Sequence, residues 1–174
     1  MNFPEIPMMA HHEAVKIEEL LTKYDCKRCL EWGSGASTVR FPKIESIEEW
    51  VSMEHDQIWF NELRKHGYPS KVQLVLAPLP FYIQYPKGVF DFILVDGIER
   101  IKCIQRIAKD GLLSPKGIVV LHDAGRLRYA TARDYFTYMV EFIPSVGVAK
   151  DGGPDFNGIT IFTNNEHIYN RECV

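Results

Sequence analysis

No stretch of about 18 apolar residues occurs anywhere in the 174-residue chain, so none of its helices is expected to span a membrane. Residues Met1 to Ala10 have neither a positive flank nor an apolar core, which predicts no secretory leader. Basic residues form no stripe. The net charge is −3, and the one local cluster, Arg126, Arg128 and Arg133, reads as charged surface. A nucleic-acid backbone is therefore not an expected partner. Cysteine is scarce: Cys26, Cys29, Cys103 and Cys173 make no disulfide framework in a chain of this size, which points to a reducing, cytoplasmic setting. Cys26-Lys27-Arg28-Cys29 has the spacing of redox and zinc sites, but no second such pair follows. The adjacent His11 and His12 fall in an expected helix and point apart. The two cysteines are read instead as small residues framing the start of a buried strand. Internal repeats and low-complexity tracts are absent as well.

What is present is enough apolar material, 46% of the residues, for a single domain over 1–174 with a real core. Helical spacing of Ala14, Ile17, Leu20 and Leu21 predicts a helix from about Glu13 to Tyr24. Strands are expected at Cys29 to Trp32, Val51 to Glu54, Val72 to Leu76, Phe90 to Val95 and Ile118 to Leu121. Helices are expected at Gln57 to His66, Glu99 to Lys109 and Leu127 to Val140, and Ser37 and Thr38 suit another helix start. Residues 78–86 carry three prolines and read as an irregular aromatic loop. Val146 to Val148 and Ile159 to Phe162 look like two last strands with no helix between them. Alternating strands and helices predict an α/β fold: a Rossmann-like, mostly parallel seven-stranded sheet, helices on both faces and an antiparallel C-terminal edge pair.

In such a sheet ligands bind outside the carboxyl ends of the strands, where the strand order reverses. The first strand runs into Gly33-Ser34-Gly35, where backbone can approach a ligand. Thr38 stands where a dinucleotide fingerprint needs its third glycine, which disfavours NAD. Glu54, about 20 residues on, ends the second strand and can accept hydrogen bonds from ribose hydroxyls, while Asp56 suits a helix N-cap. Asp96-Gly97 ends the fourth strand and His122-Asp123 the fifth. Asp96 and Asp123 could converge on a divalent ion, or serve as caps and turn residues.

The strings CLEWGSGAST, SMEHD, FDFILVDG and GIVVLHDA, in this order and spacing, resemble class I S-adenosylmethionine-dependent methyltransferases over about Glu13 to Ala124. Their form is most similar to glucuronoxylan 4-O-methyltransferase-like proteins, and small-molecule O-methyltransferases of the catechol type share the layout. The resemblance implies that Glu31 orients the methionine amino group, that Gly33, Ser34 and Gly35, with Ser37, contact the cofactor, and that Glu54 holds the ribose. It implies His55 beside the adenine, backbone of Ala77 at the adenine amino group, and Asp96 near the methionine end and the acceptor. His122 or Asp123 then faces the acceptor hydroxyl. Catechol-type enzymes hold a metal with two acids and an amide. Ala124 follows Asp123 here, which argues against metal dependence.

The implied activity is O-methylation of a small hydroxylated or carbohydrate acceptor, without a nucleic-acid or membrane partner and with a homodimer as one way to complete the cleft. The alternative is a catalytically degenerate S-adenosylmethionine-binding module. His122 is the expected general base because an unperturbed imidazole titrates near neutrality. Asp96 or Asp123 would orient it or take its place.

Overall fold

A computed structural model of the chain describes residues 7–142, 147–148, 154–155 and 158–173. Helix α1 (His11–Lys23) turns Ile17, Leu20 and Leu21 inward. There follow β1 (Arg28–Trp32), the five-residue α2 (Ala36–Arg40), β2 (Glu49–Glu54), α3 (Gln57–His66), β3 (Val72–Leu76), a four-residue α4 (Phe81–Gln84), β4 (Phe90–Val95), α5 (Arg100–Asp110) and β5 (Leu113–His122). The C-terminal third adds β6 (Tyr138–Phe142), β7 (Gly147–Val148), β8 (Pro154–Asp155), β9 (Ile159–Thr163) and α6 (Glu166–Glu172).

Seven strands form one sheet in the order β3-β2-β1-β4-β5-β9-β6. The β1–β5 ladders are parallel, and β9 runs antiparallel to both β5 and β6. The apolar runs of β4 and β5 reflect burial on both faces. Phe92 and Leu94 meet α1, while Ile93 and Val95 meet Cys103, Ile104 and Ile107 of α5. Strand order reverses between β1 and β4, which places a crevice at their carboxyl ends.

The expected helix over Leu127 to Val140 is not there. Residues Leu127–Tyr135 form a 3₁₀ segment, and Tyr138–Phe142 is a sheet strand. Met139, Val140 and Phe142 suit a pleated surface, and pairing with β9 outweighs local helix propensity. The antiparallel edge pair is consequently β6 with β9. Of the strand expected over Val146 to Val148, Val146 lies outside the described residues, and β7 pairs with β8 in a separate two-stranded ribbon. The 78–86 loop contains the one turn of α4, and β5 begins five residues before the expected Ile118. Helix α6, which the sequence reading did not anticipate, is capped by the Asn165 side chain, which accepts from the His167 and Ile168 amides at 3.1 and 3.2 Å.

Candidate active site

The chain leaves β1 through Gly33, whose amide donates to the Met53 carbonyl at 3.1 Å while the Asp96 amide donates to the Trp32 carbonyl at 2.9 Å. The first bond ties the turn after β1 to β2, and the second holds the end of β4 beside it. Gly33 has φ +101°, and a Cβ there would stand 2.5 Å from the Gly97 nitrogen. Its glycine is demanded by the fold itself. Gly35 differs: its backbone is extended, and a Cβ would meet only the Ser37 hydroxyl, at 3.8 Å.

Glu31 lies under this turn, fully buried. It accepts hydrogen bonds from Thr38 Oγ1 (2.6 Å), Ser52 Oγ (2.7 Å), Trp50 Nε1 (3.0 Å) and Ser37 Oγ. Burial raises its pKa, and the four donors oppose that rise. The carboxyl is thus spent on joining α2 to β2, and it is not among the residues lining the crevice. Ser37 does line it.

Glu54 closes β2. It accepts from Ser34 Oγ at 2.6 Å and from the amides of His55 and Asp56 at 2.7 and 2.8 Å. The last two bonds follow from chain geometry, since a strand-end carboxylate reaches back over the next turn. His55 Nδ1 sits 3.0 Å from Glu54, and its ring meets Tyr82 edge-on, with centroids 5.6 Å apart. Asp56 caps α3 through the Trp59 amide at 2.8 Å, as its position implies. The Trp59 indole donates to the Ser34 carbonyl at 2.7 Å and helps wall the crevice. Ala77 is buried, its amide donates to the Glu54 carbonyl at 2.7 Å, and it does not line the crevice.

The opposite end is built from charges. Asp96 Oδ1 lies 2.6 Å from His122 Nδ1 and 3.1 Å from Arg100 Nη2. His122 Nε2 lies 3.4 Å from Glu13 Oε2, contributed by α1. Arg100, nearly buried, also donates to the carbonyls of Gly97 (2.9 Å), Asp96 (2.8 Å) and His122. Asp123, with φ +56°, pairs with Arg100 at 3.3 Å and Arg126 at 2.9 Å. Burial alone would lower the His122 pKa, but its hydrogen bond to Asp96 and the nearby carboxylates of Glu13 and Asp123 raise it to about 10. Glu13 feels burial as a rise, yet His122 and the Ala10 amide bring its pKa below the ordinary carboxylate value.

The expected general base His122 has its ring set between the carboxylates of Asp96 and Glu13. Two flanking carboxylates favour the protonated form of an imidazole, which donates rather than accepts. Asp96 and Asp123 are each committed to cations, and among the described residues no cluster of three or more potential metal ligands occurs. The cysteine pair is buried in the core below α1. Burial raises the Cys26 thiol to about 12 and the Cys29 thiol well above its usual value, which keeps both protonated and unreactive.

Between the two ends lies a crevice of about 600 Å³, within the usual range of small-molecule sites. It brings together Gly33, Ser34, Gly35, Ser37, Glu54, His55, Asp96, His122 and Asp123. Arg100, Arg126, Trp59 and the Pro7-Met8 segment complete it. The sequence reading missed Glu13 and Arg100. An acid on the first turn of an amphipathic helix looks like a cap, which Glu13 also is: it accepts from the Ala10 amide at 2.8 Å.

No protein-family model matches the chain. Among curated proteins, O-methyltransferase hkm8 of Aspergillus hancockii is 30% identical over 113 residues, which cover 59% of this chain and 45% of that protein. The chain thus spans under half the length of the curated relative it matches. Among solved structures, the O-methyltransferase from Bacillus cereus in complex with SAH superposes with a TM-score of 0.68 at 14% identity, covering 89% of this chain and 82% of that one. SAH-bound methyltransferase PaMTH1 of Podospora anserina gives 0.66 at 18% identity, covering 90% and 79%. Spermidine synthase from Thermotoga maritima gives 0.65 at 16% identity, covering 86% and 59%, so the fold by itself does not name a reaction. The chain thus has the fold of the SAH-bound methyltransferases it superposes on, and resembles a curated O-methyltransferase over part of its length.

Proposed function

We propose that the chain binds S-adenosylmethionine in this crevice and transfers its methyl group to an oxygen of a small hydroxylated acceptor. The observation that carries the reading is one crevice that sets the carboxylates of Glu54 and Asp96 at its two ends, with open backbone at Gly35. Glu54, buried and oriented by Ser34 and two amides, offers a carboxylate to ribose hydroxyls. Gly35 leaves its Cα open toward the crevice, so backbone can lie against a ligand there. Asp96 offers a carboxylate to the methionine amino group at the other end. The kinship with an O-methyltransferase supports the choice of oxygen.

When bound, the cofactor supplies an electrophilic methyl group, so the protein has no covalent step to perform. Its residues align the acceptor and handle charge. His122, Arg100 and Arg126 present positive charge where Asp96 and Asp123 meet the crevice. These cations would stabilise an acceptor oxygen as it gives up its proton, with water or solvent-facing carboxylate oxygen receiving it. Acceptors with acidic hydroxyls should therefore be favoured over sugar hydroxyls.

Two experiments test the reading. S-adenosylhomocysteine should raise the melting temperature by several degrees, and NAD should not; with about 100 Kd of ligand the gain approaches 2.7 kcal/mol. Absence of any shift with S-adenosylhomocysteine defeats it. A radiolabelled methyl screen over phenols, hydroxy acids and sugars should then give product. Cofactor binding with no product from any acceptor is the result expected of a degenerate binding module.

A further inference from the structure

We propose that Glu13 is a positioning residue: from α1 it clamps His122 against Asp96, and so ties the segment that brings Pro7 and Met8 to the crevice wall to the carboxylate at its reacting end. This rests on the reading that Asp96 faces the methionine end of the cofactor.

The observations are geometric. Glu13 is 0% exposed and His122 is 4% exposed. The same oxygen, Glu13 Oε2, receives the Ala10 amide at 2.8 Å and lies 3.4 Å from His122 Nε2. The other ring nitrogen of His122 holds Asp96 Oδ1 at 2.6 Å. One buried ring thus connects a helix that begins the described chain to the end of β4, and Pro7 and Met8, just before that helix, line the crevice. A buried glutamate reaching only a cap would be a poor use of charge, since a neutral side chain caps as well without the cost of desolvation. Glu13 Oε1 and His122 Nε2 are also both buried without a hydrogen-bond partner among the described residues, so the pair meets through charge rather than through a well-formed hydrogen bond. The charged and titratable groups around the ring are Glu13 and its neighbour His12 on α1, Asp96 after β4, Arg100 on α5, the adjacent Asp123, and Arg126 beyond it.

The arrangement has a consequence for Asp96. With His122 and Arg100 both on Oδ1, rotation of the carboxylate is restricted, and Oδ2 has no protein partner among the described residues. Removing the charge of Glu13 loosens the ring, then the carboxylate, then whatever that carboxylate binds.

The test uses Glu13→Gln, which keeps an acceptor for the Ala10 amide, and Glu13→Asp, which keeps the charge. In the ligand-free protein, the His122 resonance followed by NMR should titrate at least about one pH unit lower in Glu13→Gln than in the wild type, and return part of the way in Glu13→Asp. In calorimetric titrations, Glu13→Gln should bind S-adenosylhomocysteine about tenfold more weakly while adenosine, which lacks the homocysteine end, changes less than about twofold. Equal weakening of both ligands, or an unchanged His122 titration, overturns the proposal, because a general packing defect would not discriminate between them. Should Glu13→Gln not fold, His122→Asn serves in its place with the same two ligands and the same expected split. If the wild type itself binds neither ligand, the transferase reading has failed, and the clamp stands or falls on the histidine titration alone.

Discussion

The two ends of the crevice are built by opposite means. The Glu54 end is assembled from near neighbours. Two of the donors to Glu54 are the next two amides in the chain, and the third, Ser34, follows a strand that pairs with β2 in register. The His122 end is assembled from α1, β4, α5 and the end of β5, and almost every link in it is an ion pair in a desolvated place. The first end costs little to organise, because strand pairing delivers its groups. The second is organised only when the whole domain has folded, and each of its charges depends on a partner from another element. A site of this kind combines a rigid binding end with an end whose properties can be moved by a single distant substitution.

The comparison can be broken most severely from beneath the glycine turn. Glu31→Ala removes the acceptor for Trp50, Ser52, Ser37 and Thr38 at once, and stranding these buried donors should cost about 4 kcal/mol in urea unfolding. Next comes Gly33→Ala, where the positive φ and the Gly97 backbone leave no room for Cβ. A loss of about 3 kcal/mol is expected by the same measurement. A milder effect should separate the ends by pH. The raised pKa of His122 means that its contribution is complete below the unfolded histidine value and disappears as pH rises through about 10. The difference in stability between the wild type and His122→Asn, about 2 kcal/mol near neutrality, should therefore shrink over that window, whereas Ser34→Ala at the other end should show a pH-independent difference. Smallest of all, Gly35→Ala should change stability by no more than about 0.5 kcal/mol, because its backbone is extended and the space is open. If it weakens S-adenosylhomocysteine binding all the same, that glycine serves the ligand and Gly33 serves the fold.

Much of the fold was legible in the sequence. Helix Gln57–His66 and strands Val72–Leu76 and Phe90–Val95 fall where periodicity and the flanking glycines put them. In each, local propensity, burial and turn chemistry agree. Legibility fails between Asp123 and Phe142, and returns at the expected strand Ile159–Thr163. Residues Leu127–Phe142 contain enough apolar and helix-forming positions to imitate a helix, and only the unpaired edge of β9 turns Tyr138–Phe142 into a strand. At the site, Gly33, Ser34, Glu54 and Asp96 were visible because strand ends in an α/β sheet announce themselves. Glu13 and Arg100 were invisible because nothing in the neighbourhood of either residue marks it as reaching another element.

The sequence by itself determined the alternation of strands and helices through β5, the glycine turn and the carboxylates that end β2 and β4. Hydrophobic period and turn residues act over a few positions, so they can be read along the chain. Only the tertiary structure decided what state those side chains are in. It buried Glu31, expected to orient the methionine amino group, under four donors that tie α2 to β2. It also set His122, the expected base, between two carboxylates that favour its charged form. The physical reason is that the charge state of a buried group depends on its desolvation and on the partners within a few ångströms, and those partners come from residues that the chain keeps far apart until it folds.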